Sequence, residues 1–202
     1  MEDRVDSYTL LTHAARVTCP PTALTTLAHV AERLTDWDDV PAQAEHHGLA
    51  PLLYIHLRAG EVEVPRPVVR QLQALTVRHR HANQVRTEAL QAILAALEGA
   101  GIASLVLKGG ALAHLLYPRP GLRPMRDLDI LVRRDEAEGV QEILAAMPDA
   151  VPALHAEDPD THHLVTGLER DGLHVSIEIH HTLYGIELEE IERTITFQLG
   201  AG

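Results

Sequence analysis

The hydrophobic period changes near residue 100, and that change constrains the fold more than any single residue. Before it, apolar residues recur at helical spacing with little β-branched alternation, as in the stripe Leu24, Leu27, Val30, Ala31 and Leu34. Pro20 and Pro21 punctuate the chain ahead of that stripe, and Thr-Asp-Trp-Asp-Asp at 35–39 reads as a helix stop followed by a fresh N-cap. Gly48 and Gly60 read as later helix ends. From Pro65, the series Val69, Leu72, Leu75, Leu90, Ile93, Leu94 and Leu97 predicts one long or bent helix closing at Gly99 and Gly101. Its polar middle, Arg78-His79-Arg80-His81, is expected to be a solvated face.

Beyond residue 101 the pattern is that of a sheet. Ala103-Ser-Leu-Val-Leu107 is a short apolar run between Gly101 and Gly109, as in a buried strand. A glycine pair opens a short helix through Ala111, Leu112, Leu115 and Leu116, and a Pro- and Arg-rich loop leads to the alternating strand Asp127-Leu-Asp-Ile-Leu-Val132. An amphipathic helix is expected near 135–147. His163–Glu169 and Leu173–His180 flank Asp171-Gly172, a pair suited to the tight turn of an antiparallel hairpin. In the second of these strands Val175, Ile177 and Ile179 face one way, and Ser176, Glu178 and His180 the other. The expectation is an α+β chain. A helical N-terminal region (1–100) precedes a core (101–202) in which a small mixed or antiparallel sheet of three or four strands carries helices on one face.

Charge narrows the partners. Seventeen Lys and Arg stand against 29 Asp and Glu, a formal net charge of −12, so most of the surface repels a phosphate backbone and broad nucleic-acid binding is disfavoured. The few cations gather around 119–126, where a local patch can meet a small anionic substrate. The single Cys19 permits no internal disulfide, is expected to be an inert helical thiol, and leaves a reducing compartment as the simplest assumption. From the opening MEDRVDSYTLL, neither a signal peptide nor a membrane span is expected. A cytoplasmic protein with no membrane partner is expected.

Asp127 and Asp129 stand two apart in a strand and share a face, so both carboxylates come within reach of one cation; hard oxygen ligands suit Mg²⁺ or Mn²⁺. Nucleotidyl transfer needs attacking and leaving oxygens held in line while charge builds on phosphorus, a need met by two metal ions about 3.5–4 Å apart. Glu178 is the candidate third carboxylate, with His180 at the edge of the site. Gly109 and Gly110 lie where a strand turns into a helix, so backbone N–H groups can face a triphosphate. Lys108, Arg123 and Arg126 can neutralise its remaining charge. Other chemistries fit less well. Lys108 precedes its glycines, unlike a Walker lysine, and no Gly-x-Ser-x-Gly is present. Histidine pairs at 46–47, 162–163 and 180–181 have no zinc-binding partner motif.

The stretch LKGGALAHLLYPRPGLRPMRDLDILV (107–132), together with VSIEIHH (175–181) and the helical lead-in HHGLAPLLYIHL (46–57), resembles an uncharacterised bacterial branch of the DNA polymerase beta nucleotidyltransferase superfamily. The resemblance implies metal ligation by Asp127, Asp129 and Glu178 and triphosphate binding by Gly109 and Gly110; Lys108, Arg123 and His180 match branch motif positions. It implies an enzyme using two Mg²⁺ or Mn²⁺ ions to move a nucleoside monophosphate from a triphosphate, with ATP the expected donor. The acceptor is a hydroxyl or phosphate on a small molecule, a protein or an RNA end, and one of the three acids serves as base. The gap from Gly110 to Asp127 is longer than in compact members, so the loop at 118–126 is expected to fold over the site or remain mobile. The C-terminal extension usual in that branch is expected to be absent. The alternative is a nucleotide-binding or protein-interaction module that kept the fold without turnover. The N-terminal helices are a candidate dock for a protein partner that supplies the acceptor or the missing lid.

Overall fold

The structure, a computed structural model, describes residues 5–152, 163–183, 185, 186, 188 and 190. His162, half of one histidine pair, lies outside the described residues. By packing, the chain divides into two compact units, Met1–Gln84 with Ala113–Pro124, and Val85–Leu112 with Met125–Gly202.

The first unit is helical. Helices α1 (Ser7–Ala14), α2 (Pro21–Glu32), α3 (Val40–His46), α4 (Ala50–Ala59) and the first part of α5 (Arg66–Gly99) bury Leu10, Leu11, Leu27, Leu53 and Leu72 together. Their starts follow from local chemistry. Asp6 caps α1 by accepting the Thr9 N–H at 2.8 Å, and α2 and α3 carry Pro in their first turns, where a missing N–H costs nothing. Asp39 occupies the N-cap position of α3, but its carboxylate accepts the Ser7 hydroxyl instead of capping its own helix. Cys19 lies in the loop before α2, not in a helix, and burial pushes its thiol up, away from the reactive thiolate.

The polar middle of α5 is not simply solvated. His79 is largely buried and its Nε2 lies 2.6 Å from the Glu45 carboxylate, which Arg78 also engages. One turn on, the buried Asn83 amide donates to the carbonyls of Pro120 (2.7 Å) and Arg123 (2.5 Å), and Gly121 packs so close to Arg80 that an added Cβ would stand 3.1 Å from its Cα. The Pro-Arg loop is therefore clamped to α5, with a 3-10 turn at Pro120–Leu122 and Leu122 buried.

The second unit carries the sheet. Strands β1 (Leu105–Val106), β2 (Asp127–Leu131), β3 (Ala150–Val151), β4 (His163–Arg170) and β5 (Leu173–His180) form the order β1-β2-β5-β4-β3. Five strands replace the expected three or four, because the chain leaving α7 (Ala137–Ala145) adds a two-residue edge on β4. β4 and β5 form the anticipated hairpin, with Asp171 at φ 50° and Gly172 at φ 70°, the positive values that a type I′ turn needs. β2 and β5 pair in parallel. One sheet face presents Leu128, Ile130, Val175, Ile177 and Ile179 to Ile93, Leu97, Val140 and Leu144 of α5 and α7. Each such side chain is worth about 1.5–3 kcal/mol buried, and a one-residue slip would turn all five outward, so the core locks the register. The opposite face, with Asp127, Asp129, Glu178 and His180, is thereby fixed as the polar one. Among the described residues no helix is long and apolar enough to cross a membrane.

Candidate active site

Register builds the site. Parallel pairing sets Asp129 directly beside Glu178 and Asp127 beside Ser176, with His180 two residues along β5 from the glutamate. Among the described residues, one group of three metal-capable side chains forms: ligand atoms of Asp129, Glu178 and His180 lie within 4.8 Å of one another. Asp127 shares their sheet face and stands outside that group.

Asp129 is the centre. It is 1% exposed, yet only half its carboxylate is satisfied. Oδ1 accepts from Lys108 Nζ at 2.5 Å and from His180 Nε2 at 2.9 Å, while Oδ2 is buried with no hydrogen-bond partner among the described residues. A buried carboxylate oxygen without a donor is costly in a folded chain and fits a cation ligand. Burial by itself would raise this carboxyl; the hydrogen bonds from His180 and Lys108 and the ammonium's charge outweigh it and hold Asp129 below the usual carboxylate range. His180 Nε2 also lies 3.4 Å from Glu178. Donating to a carboxylate requires the proton on Nε2, so in this arrangement His180 orients Asp129.

Lys108 enters from the start of α6 (Lys108–Leu115) with φ at 43°, a left-handed conformation that costs a non-glycine residue about 1–2 kcal/mol. Its Nζ reaches Glu178 at 3.5 Å as well as Asp129. Burial pulls the ammonium down, but the bond to Asp129 and the two carboxylate charges prevail and hold it above its ordinary value. It is also the chain's single lysine; the other sixteen cationic side chains are arginines.

Gly109 and Gly110 occupy the first turn of α6, whose N–H groups have no carbonyl partner inside the helix. Gly110 has a packing reason of its own, since an added Cβ would stand 2.9 Å from Val106 Cγ1. Arg126 is exposed, and its carbonyl accepts from Arg86 Nη2 at 3.4 Å. Arg123 belongs to the first unit, its guanidinium 6.0 Å from the Tyr117 ring centre. Two polar residues escaped the sequence reading. Asn83 holds the loop, and Arg86, 8% exposed, stands near enough to Asp127 for that carboxylate's charge to oppose the fall that burial imposes on the guanidinium. Their trace in the sequence is a pair of long polar side chains three apart in a helix whose neighbours Val85, Ala89 and Leu90 are core.

A strained lysine, a glycine-opened helix and two acids brought together by a parallel pairing are parts suited to a nucleoside triphosphate. A family model described as an uncharacterised nucleotidyltransferase matches residues 33–196. The chain belongs to that family. Comparison with curated proteins gave no match. Membership supports a general role in nucleotide transfer, and the span matched in this family member contains every residue of the cluster.

Proposed function

We propose that the protein is a metal-dependent nucleotidyltransferase that moves a nucleoside monophosphate from a triphosphate to a hydroxyl or phosphate acceptor, releasing pyrophosphate. The observation that carries this reading is the half-satisfied Asp129 carboxylate, buried beside Glu178. Asp129 and Glu178 would hold a divalent cation, Mg²⁺ or Mn²⁺, with Asp127 placed to join a second ion. Carboxylate oxygens suit either of these hard ions. When bound, such ions neutralise charge on the transferring phosphoryl group and template the in-line geometry.

The chain's own residues divide the remaining work. His180 keeps Asp129 oriented through its Nε2 proton. The N–H groups of Gly109 and Gly110 at the start of α6 receive phosphate oxygens. Lys108 and Arg126 supply positive charge. One of the three acids, Asp127, Asp129 or Glu178, takes the acceptor's proton. ATP is the donor to try first. The acidic surface favours a small molecule or a protein side chain over long RNA as acceptor.

Calorimetric titration with ATP and Mn²⁺, paired with a pyrophosphate-release assay across an acceptor panel, tests the reading. Asp129→Asn should weaken Mn²⁺ more than about 100-fold, since even residues behind a ligand are worth 10- to 100-fold. Asp127→Ala should abolish transfer with the fold intact. Unchanged transfer in either variant would refute the assignment. Nucleotide binding with no pyrophosphate release from any acceptor would mark a binding module instead.

A further inference from the structure

Lys108 is in an unusual position for a triphosphate ligand: its ammonium already touches two of the carboxylates that would hold metal. A divalent ion settling against Asp129 Oδ2 and Glu178 would meet a positive charge sharing the same two carboxylates. The two cannot be near neighbours without strong repulsion. Yet the lysine is not locked in. Its side chain is 53% exposed, so rotations of a four-carbon stem can carry the ammonium out, and the glycines next to it in sequence open α6.

The choice of residue points the same way. A chain that meets every other need for positive charge with arginine keeps its one lysine here. Arginine would engage a carboxylate with a planar two-pronged fork, whereas an ammonium is a compact point charge that lets go by simple rotation. The left-handed backbone at Lys108 is strain accepted at the position that delivers this charge to the acids.

We propose that Lys108 is a built-in counter-ion, closing the carboxylate cluster in the absence of metal and transferring to the triphosphate when metal displaces it. This rests on the metal-site reading above and adds to it a coupling between metal and nucleotide. Metal frees the lysine for phosphate, and phosphate, by holding the lysine, clears the cluster for metal.

Because only one lysine exists, protein grown with ¹³C at lysine Cε gives one lysine signal by NMR. Mg²⁺ alone should move that signal, and ATP should move it again. Mn²⁺ affinity without nucleotide, followed by electron paramagnetic resonance of the free ion, should tighten at least about tenfold in Lys108→Met, the scale on which a unit charge a few ångströms away shifts an equilibrium. The same variant should bind ATP more weakly at saturating Mn²⁺, so one substitution acts in opposite directions on the two ligands. Lys108→Arg should weaken Mn²⁺. Should Lys108→Met fold poorly, the wild-type signal decides by itself. Mn²⁺ binding that is lost in Asp129→Asn but unchanged or weaker in Lys108→Met, or Mg²⁺ binding with an unmoved lysine signal, would overturn the counter-ion role and leave the metal site standing. Mn²⁺ binding indifferent to Asp129→Asn would overturn both.

Discussion

Gly109 and Gly110 look equivalent in the sequence, adjacent and both apt for phosphate, but they have different neighbours. A Cβ on Gly109 would stand 3.5 Å from Met125 Cγ, ordinary contact, whereas one on Gly110 would stand 2.9 Å from Val106 Cγ1 and 3.9 Å from Leu90 Cδ2. Carbon atoms prefer separations of about 3.5–4.0 Å, so Gly110→Ala forces a displacement of about 0.6 Å or more. Val106 resists, because its β-branched side chain has little χ1 freedom and its backbone pairs with Ile130 in the sheet. Alanine at either position gains up to about 1 kcal/mol of helix propensity, and this common gain cancels when the variants are compared with each other. What remains is the overpacking penalty, about 1–3 kcal/mol. At about 2–4 °C per kcal/mol for a chain of this size, Gly110→Ala should melt roughly 2–12 °C below Gly109→Ala in a thermal scan followed by circular dichroism. Gly109→Ala, as stable as the parent or slightly more so, then isolates the ligand role: its ATP affinity should fall. Equal melting temperatures would refute the packing argument for Gly110, and undiminished ATP binding by Gly109→Ala would refute close phosphate approach at Gly109.

Asn83→Ala removes the amide that bonds two loop carbonyls; it should cost about 2 kcal/mol or more in urea denaturation and open the segment 118–126 to protease. Normal stability with an uncut loop would show that the clamp is dispensable. His56 is buried, and burial lowers its imidazole pKa despite a hydrogen bond to the Ala14 backbone. The unfolded chain then binds the proton more readily than the folded one, so this residue's effect is absent well above its ordinary value near 6.5 and destabilises as pH falls through it. The loss of melting temperature between pH 7.5 and 5.5 should be smaller in His56→Gln than in the parent, and an equal loss in both would exclude His56 as its source.

Several elements were legible because their causes are local. The hairpin was readable at Asp171-Gly172, since a two-residue turn with both φ positive has few chemical solutions, and the alternation through 173–180 dictated which side chains share a face. The long helix followed from apolar spacing, and its end from the glycines at 99 and 101. The acidic pair on β2 was likewise visible as residues of one face, whatever that face meets.

Tertiary structure decided which of these features come together. A parallel neighbour cannot be read from a strand's own residues, because the two partners are joined by a long excursion and held by a core that forms only on folding. That pairing, not the Asp-Leu-Asp spacing, set Glu178 and His180 against Asp129 and left Asp127 to one side. It also decided the state of Lys108, whose ammonium lies against Asp129 and Glu178. The same limit hid Asn83 and Arg86. Helical periodicity says that a polar residue lies off the apolar stripe, whereas a partner 37 or 40 positions away, such as Pro120 or Arg126, is supplied only by the folded chain.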